Sequence, residues 1–324
     1  MSLLRLVAQR IALGVIAAWA VLTTVFLAVM GTKNWHLETI LALEGRGGTT
    51  PEKVREIRTE YLSERGLDRP LHEQYVDWMS GMFTLQWGES FQTGEAVFPM
   101  VMSATARTAM YVVPALAVAL VVGLAVGLYA AMSERSASDT STRGLTYLLF
   151  GLPNFWVGAM VLSLAGIGVR FGQRSQAIRP STLPFLYEYV LPILLVATTL
   201  SAAIVSYARS YSLQYVSADL TKLVRAKGGG RLTVARHVLR NAAIPLVSLA
   251  FVETLALIAL SMFVIEALFT IEGLGLVFYN AIWTSDLPVL MGATLVIAAV
   301  GVVGNITQDL AYTALDPRVD TGSR

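Results

Sequence analysis

The stretch that decides the architecture is Ala208–Asn241, which reads ARSYSLQYVSADLTKLVRAKGGGRLTVARHVLRN. It carries Arg209, Lys222, Arg225, Lys227, Arg231, Arg236 and Arg240 against a single acid, Asp219. On either side lie the apolar runs Tyr189–Tyr207 and Ala242–Ile265. Each matches the roughly 20 residues that a bilayer-spanning helix requires. Lys and Arg accumulate in loops that are not translocated, so this segment is expected in the cytoplasm.

Working outward, four more runs qualify as spans: Ile11–Met30, Thr108–Met132, Leu145–Val169 and Pro288–Leu310. The expected fold is therefore an all-α integral membrane protein with six transmembrane helices. Composition agrees, with 55% hydrophobic and only 14% charged residues, against about 25% charged in soluble domains. A soluble core could not absorb this apolar surface, and the bilayer must serve as the solvent. Ile11–Met30 is too long for a signal-peptide core, lacks a small-residue cleavage site, and reads as a retained anchor. Four spans separate Arg5 and Arg10 from the basic segment, which places both termini in the cytoplasm. Arg170, Arg174 and Arg179 are the exception, falling on the outer side.

Three regions follow: an N-terminal segment with the first span (1–32), an external loop (33–107) and a five-helix membrane region (108–324) containing the basic segment 208–241. The external loop is long enough to fold locally. Thr50 is a helix N-cap, Pro51 a first helical residue, and Glu52 complements the helix dipole. Val54, Ile57 and Tyr61 share one face of that helix, which ends at Gly66. A second helix is expected near Leu71–Met79. The loop is either a structural cap or a surface for a partner.

Within the basic segment, Leu213, Val216, Leu220, Leu223 and Val224 recur at helical spacing as one apolar stripe. Three glycines, Gly228-Gly229-Gly230, then stop the helix and form a hinge. A second short helix, from about Leu232 to Arg240, feeds the fifth span near Pro245. Spacing alone fits a topology signal, an interfacial helix on lipid headgroups, or a protein-docking helix.

Other chemistry is thin. The chain has no cysteine, and His36, His72 and His237 are too scattered for a metal site, so neither cofactor nor metal is expected. No G-x-x-x-x-G-K-[ST] sequence is present to cradle nucleotide phosphates. Gly273-Leu274-Gly275 reads as a turn. Paired carboxylates and serine–base constellations are absent from the spans, so no catalytic residue is assigned. Glu253 is an ionisable group inside a span, which makes it a candidate for the translocation path, though a buried helix contact would also explain it. Glu266 is expected near the outer mouth of that path. Asn154, Trp156 and Asn305 suit helix–helix hydrogen bonds or interface anchoring. Gly123, Gly127, Gly158, Gly301 and Gly304 read as close-packing positions. No repeat relates the two halves, unlike the internal symmetry common in secondary transporters.

A family resemblance sharpens this reading. Arg225-Ala226-Lys227-Gly228, then His237, Arg240-Asn241-Ala242 and Pro245, resembles the cytoplasmic coupling motif of ABC transporter permeases. The most similar group is the dipeptide, oligopeptide and nickel importer permeases. Other pieces follow in order: Gly66-Leu67-Asp68-Arg69-Pro70-Leu71 with Gln74-Tyr75, and Trp87-Gly88-Glu89-Ser90-Phe91 with Thr93-Gly94. Pro153-x-Phe155-Trp156, Glu266 with Phe269, Asp286-x-Pro288 and Asp316-Pro317-Arg318 complete the series. The chain departs from the family where Lys222-Leu223-Val224 replaces an acid and two alanines, and where Glu272 stands in place of proline. The resemblance implies that Leu220, Leu223, Val224, Arg225, Ala226, Lys227 and Gly228 dock on an ATPase. His237, Arg240, Asn241 and Pro245 would carry the motion into the fifth span. It further implies a second homologous permease, two ATPase subunits and an extracytoplasmic solute-binding protein as partners, with no nucleic-acid role. The alternative is an ion-gradient-driven secondary transporter using Glu253.

Overall fold

The computed structural model describes residues 3–166, 185–240 and 262–315. The described residues are almost entirely helical, with one isolated bridge between Glu89 and Ala96. In chain order they form α1 (Leu3–Gly31), α2 (Trp35–Arg46), α3 (Pro51–Glu64), α4 (Leu71–Phe83) and α5 (Val97–Met132). Then come α6 (Ala137–Gly151), α7 (Asn154–Leu164), a π-turn at Leu186–Val190, α8 (Leu191–Val216), α9 (Asp219–Ala226) and α10 (231–240). The helical stretch Met262–Phe269, α11 (Leu274–Thr284) and α12 (Leu287–Leu315) complete the order.

Four helical stretches are long and apolar enough to cross a membrane: Val7–Arg46, Val97–Met132, Leu186–Val216 and Leu287–Ala311. Two bent pairs raise the number to six if each pair is one span. One of them corrects the expected third span, because α6 and α7 meet at 81° instead of forming a straight helix. The cause is Pro153. A proline disfavours helical geometry in the residue before it, and Leu152 is extended at φ −87, ψ 117. The second pair is Met262–Phe269 with α11, bent by 87°. There the expected turn at Gly273-Leu274-Gly275 is corrected as well: Gly273 is the N-cap and Leu274-Gly275 opens α11. Residues 242–261 of the expected fifth span lie outside the described residues.

The helices sort into two compact units. The first holds Leu4–Arg107 and Glu272–Val302, and its core gathers Leu22 and Phe26 of α1 with Met82, Trp87, Val97, Leu287 and Met291. Nearer its N-terminus α1 leaves Ile11, Leu13, Ile16 and Trp19 half exposed on several sides. A helix apolar all round is what lipid permits and water does not. Thr50 caps α3 through its side chain, as expected, and α3 packs Tyr61 onto Leu37 and Leu41 of α2, a helix the sequence reading did not include. In the same unit the Asp286 carboxylate accepts hydrogen bonds from Ser90 Oγ (2.5 Å) and from the amides of Phe91 (3.2 Å) and Gln92 (3.3 Å). Two motifs almost two hundred residues apart are thereby one buried knot at the start of α12.

The second unit holds Thr108–Ile271 and the chain from Val303 onward, with Met1–Leu3. Within it α5 approaches α8 closely. A Cβ added to Gly127 would lie 2.5 Å from Ala208 Cβ and 2.8 Å from the Val205 carbonyl oxygen. One added to Gly123 would meet Ile204 at 2.6 Å. The two backbones touch because these positions carry no side chain, the usual device where helices pack in lipid.

Candidate functional site

The basic segment grows from the end of α8. Ser212 is fully buried there, and Arg209 reaches Asp139 of α6 with two donors, Nε to Oδ1 at 2.6 Å and Nη2 to Oδ2 at 2.8 Å. Asp139 also accepts the Arg135 amide at 3.1 Å and is 2% exposed. The helix stops at Val216, where Ser217 Oγ donates back to the Leu213 carbonyl and Ala218 is extended at φ −65, ψ 148. Thr221 Oγ1 then hooks onto the Tyr215 carbonyl at 2.7 Å, fixing α9 against the end of α8. The expected continuous docking helix Leu213–Gly228 is therefore corrected. Leu213 and Val216 belong to α8, and the remaining stripe residues belong to the separate, two-turn α9.

The end of α9 is closed. Gly228 adopts φ +81, and its amide donates to the Arg225 carbonyl, while the Gly229 amide donates to the Val224 carbonyl, both at 3.0 Å. This paired closure with a left-handed glycine is the Schellman arrangement. At the expected glycine hinge the main chain thus forms a defined, hydrogen-bonded turn. Val234 and Val238 of α10 are buried, and Leu239 packs against Ala208 of α8, as Tyr211 and Tyr215 do.

What remains outside is consistent along the segment. Leu223 is 50% exposed and Leu232 85% exposed, and around them Arg225, Ala226, Lys227, Gly228 and Arg231 are all exposed. Arg225, Lys227 and Arg231 make no ion pair among the described residues. Lys222 instead bonds Asp219 at 2.9 Å and holds that carboxyl below the usual carboxylate range. Val224 and His237 are half-buried and Arg240 is exposed. Leu220 is helical. Asn241, Pro245 and Glu253 lie outside the described residues. The segment thus exposes two leucines, Leu223 at the end of α9 and Leu232 at the start of α10, with cations beside them in the chain.

Glu266, expected at a pathway mouth, is fully buried. Its Oε1 accepts from Thr108 Oγ1 at 2.6 Å and from Tyr111 OH at 3.0 Å. Enclosed in this way, it offers no open face to a solute in this chain. Among the described residues no cluster of His, Asp and Glu could hold a metal ion. The sequence shows Arg209 only as one cation of the basic segment and gives no sign of Asp139 as its partner. The one local signal was Ser136, whose hydroxyl caps α6 through the Asp139 amide and so marks a helix start.

A helical chain with four to six apolar spans and an exposed basic turn between two of them is that of a multi-pass membrane protein. A family model described as binding-protein-dependent transport system inner membrane component matches residues 123–321. A Brucella ovis protein named for peptide permease function is 34% identical over 263 residues, covering 79% of this chain and 82% of its own length. The oligopeptide transport system permease protein AppB of Bacillus subtilis is 27% identical over 81% of this chain and 85% of its own. The metal-staphylopine import system permease protein CntB of Staphylococcus aureus is 25% identical over 99% of both chains. The chain belongs to the family of binding-protein-dependent transport system inner membrane components. It is a permease subunit of an ABC importer, working with an ATPase and a binding protein, and the family does not support the ion-gradient alternative.

Proposed function

We propose that this chain forms one half of the translocation path for peptides or a related small solute such as a metal chelate, with a second homologous permease supplying the other half. Two ATPase subunits drive the cycle, and hydrolysis takes place on them. The relatives named for peptides, oligopeptides and metal-staphylopine support that solute range. Both termini and the segment 208–241 face the cytoplasm, and residues 33–107 face the binding protein. This orientation rests on the seven cations against one acid in the segment.

The observation that carries the reading is the exposure of Leu223 and Leu232 among Arg225, Lys227 and Arg231. A topology signal needs the charges but not bare leucines on a capped turn. An apolar anchor ringed by complementary charge is how a helix docks in a protein groove. ATP-driven movement of that groove would push α9 and α10, with His237, Arg240, Asn241 and Pro245 passing the motion to the fifth span.

The test is co-purification. Arg225→Glu with Lys227→Glu sets like charges across the interface, which costs several kcal/mol, so ATPase affinity should fall by about 100-fold or more. The variant protein should still insert in the membrane. Retention of the ATPase at normal levels would overturn the docking assignment. Uptake in vesicles should depend on ATP after ion gradients are collapsed.

A further inference from the structure

The end of α8 carries more than the start of the docking segment. Arg209 is held by two short bonds to a carboxylate that is itself 2% exposed, and that carboxylate has a third donor in the Arg135 amide. At the same level the α5 backbone touches α8. A Cβ on Gly127 would stand 3.1 Å from the Arg209 amide nitrogen as well as 2.5 Å from Ala208 Cβ. Leu239 of α10 returns to the same stretch of α8, packing against Ala208. The two arms of the docking segment, α9 by the Thr221 hook and α10 by Leu239, are thus anchored on one short stretch of α8.

We infer that the Asp139–Arg209 pair is a positioning element for coupling, welding the root of the docking segment to α6 so that α5, α6 and the end of α8 move as one block. A push on α9 then enters the membrane through α8 and its welded neighbours, in addition to the direct route from α10 into the fifth span. An ion pair suits this task better than an apolar contact. It gains little net stability when buried, but its two-point geometry fixes one arrangement. The inference rests on the docking reading above.

The experiment uses the complete transporter reconstituted with its ATPase and binding protein, and compares Asp139→Asn with the double variant Asp139→Asn/Arg209→Gln, which leaves no buried charge unpaired. Both are expected to retain the ATPase and to hydrolyse ATP, while solute moved per ATP falls about tenfold, within the range that coupling free energies span. Normal solute per ATP in the double variant overturns the inference, as does a loss of transport that merely tracks the amount of folded complex. Loss of the ATPase from Arg225→Glu/Lys227→Glu is a separate result and tests the docking reading alone. A second measurement needs neither charge removed. The chain is free of cysteine, so spin labels can be placed at the exposed Thr140 of α6 and Gln214 of α8. Their separation should stay constant between nucleotide-free and ATP-bound states. A shift approaching one helical turn, about 5 Å, overturns the weld.

Discussion

Replacing Gly127 with alanine adds one methyl group at the tightest point of the second unit, and its effect can be worked from the packing. Ordinary carbon–carbon contact lies at about 3.5–4.0 Å. The new Cβ would sit 2.5 Å from Ala208 Cβ and 2.8 Å from the Val205 carbonyl oxygen. Neither neighbour is the free end of a long side chain, so relief requires α5 and α8 to part by about 1 Å. Parting them also loosens the Gly123–Ile204 contact four residues away. Overpacking of this kind costs about 1–3 kcal/mol, and with both obstacles rigid we place the gross cost near 3. Alanine returns about 1 kcal/mol through its better helix propensity. The net destabilisation is about 2 kcal/mol, a fall of about 4 °C in the melting midpoint of the detergent-purified protein. Gly144→Ala in α6 is the matched control, because its Cβ meets nothing within 4 Å. It makes the same chemical change and should stabilise by up to about 1 kcal/mol. The assay is the fraction of monodisperse protein surviving a temperature series by size-exclusion chromatography. Equal midpoints for Gly127→Ala and Gly144→Ala would refute the claim that the α5 and α8 backbones are in contact.

Substitutions at two further positions probe the site and the knot in the first unit. Gly228→Val should weaken both melting and ATPase retention, because a β-branched residue resists φ +81 and the left-handed region costs roughly 1–2 kcal/mol. Gly228→Asn should be milder, and indistinguishable variants would mean the left-handed closure is not kept in solution. Asp286→Ala strips the acceptor from Ser90 Oγ and from the Phe91 and Gln92 amides, a loss of about 3 kcal/mol. Limited trypsin digestion should then cut within residues 33–107 faster than in the wild type, and an unchanged rate would show that the knot does not hold that region.

Legibility in the sequence tracked how local each cause was. The α3 start was readable because Thr50, Pro51 and Glu52 act within one turn. The apolar middles of the long helices were readable because lipid demands uninterrupted apolar runs, but their ends were not: α5 begins at Val97 and not at Thr108, and α8 runs on to Val216 past Tyr207. The α6–α7 elbow was written in Pro153 but was overridden by hydropathy, which averages across a bend without registering it. The stripe from Leu213 to Val224 kept helical phase across the break at Ser217-Ala218, so periodicity alone joined what Ser217 and Thr221 separate. Gly127 was read as a packing position but its partner was not nameable, and the same reading fails for Gly301, where a Cβ would meet nothing within 4 Å. Asp139 and Arg209 stand 70 residues apart, and no spacing rule joins them. Their pairing is a product of tertiary structure, as is that of Ser90 with Asp286.

In the docking proposed above, the closed turn at Gly228 has a consequence for how permeases and ATPases sort into pairs. With the Val224 and Arg225 carbonyls already bonded to the Gly229 and Gly228 amides, the tip of α9 has little free backbone to offer. A partner that cannot read main chain must discriminate through side chains alone. The identity code of the contact is then compressed into a few interchangeable positions, chiefly Leu223, Arg225 and Lys227, carried on a scaffold that need not change. Transplanting those positions between permeases of parallel systems should redirect a chain to a foreign motor without redesigning a single helix.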